Sequence, residues 1–145
     1  MKTLVIFDSN FGNTKKIAEV IANEMGENAK VVSVADFDIE DLEGTNLLIV
    51  GSPINGFRPT EKINKFLANL AKNQLKGIKA ASFDTRVKLF IHGDAAKKIS
   101  KKLKDAGAEI IVEPQAFYVK GKEGPLLAGE IEKAKNWARE IKSKL

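Results

Sequence analysis

The sequence predicts an α/β domain with a parallel sheet and helices on both of its faces. Three observations lead there. Five short apolar runs alternate with stretches of helical hydrophobic period along the whole chain. Two of those runs, Leu4-Val5-Ile6-Phe7 and Leu47-Leu48-Ile49-Val50, are continuously apolar, as suits a strand buried on both faces of a parallel sheet. The loops richest in Gly, Ser, Thr and Asn are 8–14, 52–59 and 84–93. Each follows a strand, so all three meet at one edge of the sheet, where such folds bind ligands.

The elements follow in order. The first strand is expected over Thr3 to Asp8 and the first helix over Asn13 to Gly26, with Ile17, Val20, Ile21 and Met25 on one face and Gly26 as the stop. A valine-rich second strand covers Lys30 to Ser33, and the acidic stretch Asp36 to Glu43 reads as one short helix or turn. The third strand ends at Gly51-Ser52-Pro53. Thr60 can cap the next helix, whose stripe is Ile63, Phe66, Leu67 and Leu70.

Lys79 to Asp84 reads as the fourth strand, with a loop to Gly93 in which Val87 to Ile91 could itself be extended. A helix over Ala95 to Ala106 turns Ile99 and Leu103 inward. The fifth strand starts at Glu109, is interrupted by Pro114 and resumes over Ala116 to Val119 at an edge, where proline is tolerated. After a Gly/Lys-rich turn at 121–125, the last helix covers Glu130 to Lys144, with Ile131, Ala134, Ala138 and Ile141 buried.

At 145 residues the chain fits one domain spanning 1–145. No apolar run approaches the ~20 residues that cross a bilayer, and Leu4 to Phe7 is too short for a signal peptide. A cytoplasmic protein without a membrane partner is therefore expected. With no cysteine, disulfides, thiolate metal sites and thiol chemistry are excluded, and the single histidine, His92, argues against a His-cluster metal site. The net charge of +5 admits an acidic partner or nucleic acid. However, Lys97, Lys98, Lys101, Lys102 and Lys104 fall on the solvent face of a helix, with no interleaved aromatics. A solvated face and no nucleic-acid partner is the better reading.

The loop Asp8-Ser9-Asn10-Phe11-Gly12-Asn13-Thr14 carries the chemistry. A strand, a tight polar loop and a helix start present backbone N–H groups that have no partner inside the helix. With the helix dipole they suit an anion, most often a phosphate. The same residues also suit a plain helix cap, with Asn or Thr at the N-cap and Gly12 making the turn. The loop is neither a Walker motif nor the dinucleotide fingerprint, since no Gly-Lys-Thr follows and only one glycine is present.

Two motifs, in order and on successive strand ends, resemble those of the flavodoxin family. They are Ser9-Asn10-Phe11-Gly12-Asn13-Thr14, and Gly51-Ser52-Pro53-Ile54-Asn55-Gly56-Phe57-Arg58-Pro59. The resemblance covers essentially the full chain. It implies a flavodoxin-like three-layer sandwich with a five-stranded parallel sheet of order 2-1-3-4-5. It implies FMN as cofactor and a small monomeric carrier shuttling single electrons between redox partner proteins, a reductase and an acceptor. By position, Ser9, Asn10, Phe11, Gly12, Asn13 and Thr14 would hold the phosphate. Pro53, Ile54, Asn55 and Gly56 would flank the ring, and Asp84, Thr85 and Arg86 would line its other side.

On that resemblance, the Asn55-Gly56 peptide is the expected tuning element. Reduction protonates a ring nitrogen, and glycine lowers the steric cost of turning a carbonyl toward it. An Asn-Gly turn that only reverses the chain is the alternative. Arg86 could approach the phosphate or pair with Asp84, and His92 could titrate beside the ring or be a plain loop residue. Tyr118 and Trp137 read as packing residues.

The chain departs from the family in three ways. Phe11 stands where a small hydroxyl residue is usual, and no tyrosine lies in 84–93, leaving Phe90 or Phe57 as stacking or core residues. The basic charge implies acidic partners or a different job. Two other functions stay open: an FMN-dependent NAD(P)H:quinone reductase, for which the chain has little spare length, and a binding or regulatory module with weak or no FMN binding. A receiver domain is excluded, because the third strand ends Val50-Gly51-Ser52 without the aspartate it needs.

Overall fold

The computed structural model describes residues 1–88 and 93–145. Its elements run in the order β1 (Thr3–Phe7), α1 (Asn13–Met25), β2 (Ala29–Ser33), β3 (Leu47–Pro53), α2 (Glu61–Ala68), β4 (Lys79–Val87), α3 (Ala95–Asp105), β5 (Glu109–Ile110), β6 (Gln115–Val119) and α4 (Glu130–Ser143). All strand pairings are parallel, in the order β2-β1-β3-β4-β5, with β6 also on β4. The doubly wound sheet is the one the sequence predicts, and its strand order is the one the flavodoxin resemblance implies.

Alternation along the strands sorts side chains into two layers. Val5, Phe7, Ile49, Ala81 and Phe83 face Ile17, Ala18 and Ile21 of α1 and Ala134, Trp137 and Ile141 of α4. Leu4, Ile6, Leu48, Val50 and Ala80 face Ile63, Phe66 and Leu67 of α2 and Ile99 and Leu103 of α3. Because both layers are buried, β1 and most of β3 show no polar alternation, which is what made them legible as strands. Phe7, Gly51 and Phe83 share one register line near the carboxyl ends of the three central strands. At Gly51 any Cβ would overlap the Phe83 ring, so only glycine lets that ring close over the strand.

Two elements differ from expectation. The acidic stretch forms two 3-10 turns, Val34–Asp36 and Ile39–Leu42, capped by Ser33 and by a capping box on Asp38. The fifth sheet position is split at Pro114, as the sequence predicts: β5 pairs with Lys79 and Ala80, and β6 with Phe83 to Val87. By contrast, β4 runs past Asp84 to Val87 because β6 gives it a partner there. Thr85 and Arg86 are therefore strand residues rather than loop residues. Two caps are as the sequence suggests, Thr60 accepting from the Ile63 N–H at 3.3 Å and Gly26 ending α1. Phe90 and His92 lie outside the described residues.

Candidate functional site

A cleft of about 250 Å³ opens past the carboxyl ends of β1, β3 and β4. Three chain segments meet there: Ser9, Asn10, Phe11, Asn13 and Thr14; Pro53 to Phe57; and Thr85 to Val87 with Gly93. Two residues that sequence reasoning missed, Val119 and Lys122, close it from the end of β6 and the turn beyond. Among these described residues there is no carboxylate. The walls are mainly apolar and amide.

The first segment is built to leave donors open. Gly12 is the N-cap of α1 at φ 93° and ψ −4°, a left-handed conformation that glycine takes without strain. No side chain caps this helix, so the plain Asn or Thr cap that the sequence also allowed is not formed. The first N–H groups of α1 keep their capacity to bind an anion. Gly12 itself does not line the cavity; its part is to turn the chain.

Side chains brace this loop. The Ser9 hydroxyl accepts from the Gly12 N–H at 2.9 Å, which leaves its own O–H to donate outward. Thr14, with 1% of its surface exposed, shares a 2.7 Å hydroxyl pair with Thr85. It ties α1 to β4 and offers a ligand its backbone. Asn13 donates to the Glu123 carbonyl at 3.2 Å, and Asn10 donates to the Asn55 side chain at 3.1 Å across the mouth of the cleft. Phe11 lines the cleft with 47% of its surface exposed.

The second segment is a closed hairpin turn. The Asn55 N–H donates to the Arg58 carbonyl at 2.8 Å, and the Arg58 N–H returns a longer bond of 3.3 Å to Asn55. Gly56 and Phe57 at its centre have φ of 58° and 69°, the left-handed pair of a two-residue hairpin loop. Phe57 holds this conformation without being glycine and is exposed. The turn is pinned from the α3 side: Lys98 donates to the Phe57 carbonyl at 3.1 Å, and a Cβ on Gly93 would overlap the Phe57 backbone.

In the third segment the register splits the three polar residues of β4. Thr85 faces α1. Asp84 and Arg86 face α3, where the Arg86 guanidinium grips the Asp84 carboxylate through Nε at 2.9 Å and Nη2 at 2.6 Å. Asp84 also accepts from the Ala96 N–H at 2.9 Å, and Arg86 reaches Asp94, the N-cap of α3, at 3.2 Å. Asp84 is fully buried and does not line the cleft, while Arg86 lines it and is largely committed to this pair. Burial pushes the Asp84 carboxyl above its ordinary range, against the pull of the bonds from Arg86 and Ala96. Burial also works against the charge on Arg86, but the Asp84 bond and charge outweigh it and hold the guanidinium above its usual value.

A doubly wound sheet with a cleft past the ends of β1, β3 and β4, where such folds bind ligands, defines the class of protein. The flavodoxin family model matches residues 5–137, and the chain belongs to the flavodoxin family. Among solved structures, it is similar to oxidised flavodoxin 1 from Bacillus cereus, with a TM-score of 0.85 at 24% identity over 100% of this chain and 99% of that one. A flavodoxin from the domain Archaea gives 0.83 at 23% identity over 99% and 98%. The chain also resembles part of rubredoxin oxygen:oxidoreductase from Desulfovibrio gigas, at 0.77 and 20% identity over 99% of this chain and 36% of that one. Against curated proteins the sequence finds no match.

Proposed function

We propose that the cleft binds FMN and that the protein carries single electrons between redox partner proteins. The observation that carries this reading is the composition of the cleft. An apolar slot between the Asn55–Arg58 turn and the end of β4 opens at one end onto the uncapped start of α1. A planar ring bearing a phosphate needs both halves. No carboxylate among the described lining residues opposes the anion.

Bound FMN would supply the redox chemistry, as flavins do. The chain's own residues would hold and adjust it. The N–H groups of Asn13 and Thr14, with the Ser9 hydroxyl, would take the phosphate. Pro53, Ile54 and the Asn55–Arg58 turn would cover one side of the ring, and Thr85 to Val87 would border the other. The Asn55 carbonyl is held by a single 3.3 Å bond, so reorienting the Asn55–Gly56 peptide gives up little, and glycine admits both orientations. Asp84 acts behind the site by fixing Arg86.

Titration of the apo-protein with FMN, followed by flavin absorbance and fluorescence, tests the reading. Saturable one-to-one binding, and uptake of electrons by the loaded protein in two separate one-electron steps, is the expected result. No saturation at high micromolar FMN would sink it.

A further inference from the structure

The cleft's last wall lies far from the other three in sequence. After β6 the chain turns through 120–125 before α4, and this turn is docked on the start of α1. The Asn13 side chain donates to the Glu123 carbonyl at 3.2 Å, across 110 residues of sequence. Gly124 packs so closely that a Cβ there would lie 2.7 Å from the Asn13 side-chain oxygen. Lys120 N–H donates to the Pro125 carbonyl at 2.8 Å and Gly124 N–H to Gly121 at 2.9 Å, so the turn is closed upon itself. Lys122 sits at its tip, solvent-exposed yet lining the cleft.

Among the described lining residues two are cationic, Arg86 and Lys122. Arg86 is gripped by Asp84 and Asp94. Lys122 has no ion pair among the described residues, and its turn is anchored to the first residue of α1, where the backbone N–H groups are uncapped. We infer that Lys122 is a specificity-determining residue that pairs with the phosphate of the bound flavin and favours the phosphorylated ligand over its unphosphorylated form. This rests on the FMN reading above. The family-like loop supplies neutral donors, and the turn after β6 supplies the mobile charge. A lysine on a flexible stem suits this place, because its charge reaches the anion without a fixed fork geometry.

The test compares FMN with riboflavin, which has the same ring and no phosphate, on wild-type protein and on Lys122→Gln and Lys122→Arg. Circular dichroism checks that each variant is folded. Lys122→Gln should weaken FMN binding by about tenfold, as loss of a charge-assisted contact does. It should leave riboflavin binding unchanged and flatten the salt dependence of FMN binding, while Lys122→Arg restores most of the affinity. Equal FMN affinity in wild type and Lys122→Gln would overturn the inference while leaving the FMN reading intact. Equal weakening of both ligands would overturn it too, by making Lys122 a residue of the cleft's shape. If the wild type binds neither flavin, the FMN reading and this inference fall together.

Discussion

Replacing Asp84 with alanine should lower the stability of the fold by about 3–5 kcal/mol at neutral pH, read by urea denaturation. Asp84 has no exposed surface, and its carboxylate satisfies two Arg86 donors and the Ala96 N–H. Without it, a guanidinium with 9% of its surface exposed loses its bidentate partner. Asp94 stays within 3.2 Å, but it is 46% exposed and already accepts from the Lys97 N–H, so it does not replace the lost fork. The cost lies in a buried charge that has lost its fork. Pairing Asp84→Ala with Arg86→Met removes both charges and should recover most of the loss, because whole buried ion pairs exchange for apolar residues at little cost. A double variant no more stable than Asp84→Ala would show that the carboxylate acts through something other than Arg86.

The second large effect is expected at Trp137. This α4 residue is 4% exposed and stands edge-on to Phe83 and Phe117, with ring centroids 6.0 Å away in each case. Phe83 and Phe117 meet in the same way at 5.9 Å. Three mutually T-shaped rings join β4, β6 and α4, and the Phe83 ring also seals Gly51. Trp137→Ala opens a cavity that this interlocked set cannot close, and should cost about 3–5 kcal/mol. Trp137→Phe should keep more than half of that. Thermal and urea unfolding by circular dichroism read both, since the variants lack the chain's one tryptophan. A loss below about 1 kcal/mol for Trp137→Ala, the size of an average substitution, would contradict the packing account.

The two predictions mark where the fold was legible in the sequence and where it was not. The buried strands could be read from Leu4-Val5-Ile6-Phe7 and Leu47-Leu48-Ile49-Val50 because both sheet faces are covered, and a continuous apolar run is the local trace of that. Helix ends could be read from Thr60 and Gly26, because caps act within one turn. The end of β4 could not. Thr85 and Arg86 look like loop residues when taken alone, and what lets a strand bury them comes from elsewhere. Thr14 pairs with Thr85 from 71 residues away, Asp94 completes the Arg86 grip, and β6 supplies the ladder.

The candidate site divides in the same way. The two motif loops were visible as strand–loop–helix units with turn residues at fixed offsets. Their side-chain roles were not, since Asn13 and Thr14 spend their polar groups on Glu123 and Thr85 rather than facing the cleft with them. Val119 and Lys122 were missed because nothing local in 119–125 refers to a cleft. Only the docking of that turn on Asn13 brings them there. The one hint in the sequence was the Gly121–Gly124 spacing, which allows a turn tight enough to approach another backbone.

The central claim is that one cleft, built from these segments, holds the flavin. Its most direct test is the set of backbone amide NMR shifts of the apo-protein recorded as FMN is added to saturation. The amides of Asn10 and Gly12 to Thr14, of Asn55 to Phe57, of Thr85 to Val87 and of Lys122 should move together along one saturation curve, while those of a separate groove between α3 and β5, lined by Lys97, Lys101 and Ile110 to Glu113, stay in place. Shifts confined to the groove, or binding without movement of the Asn13 and Gly56 amides, would contradict the account.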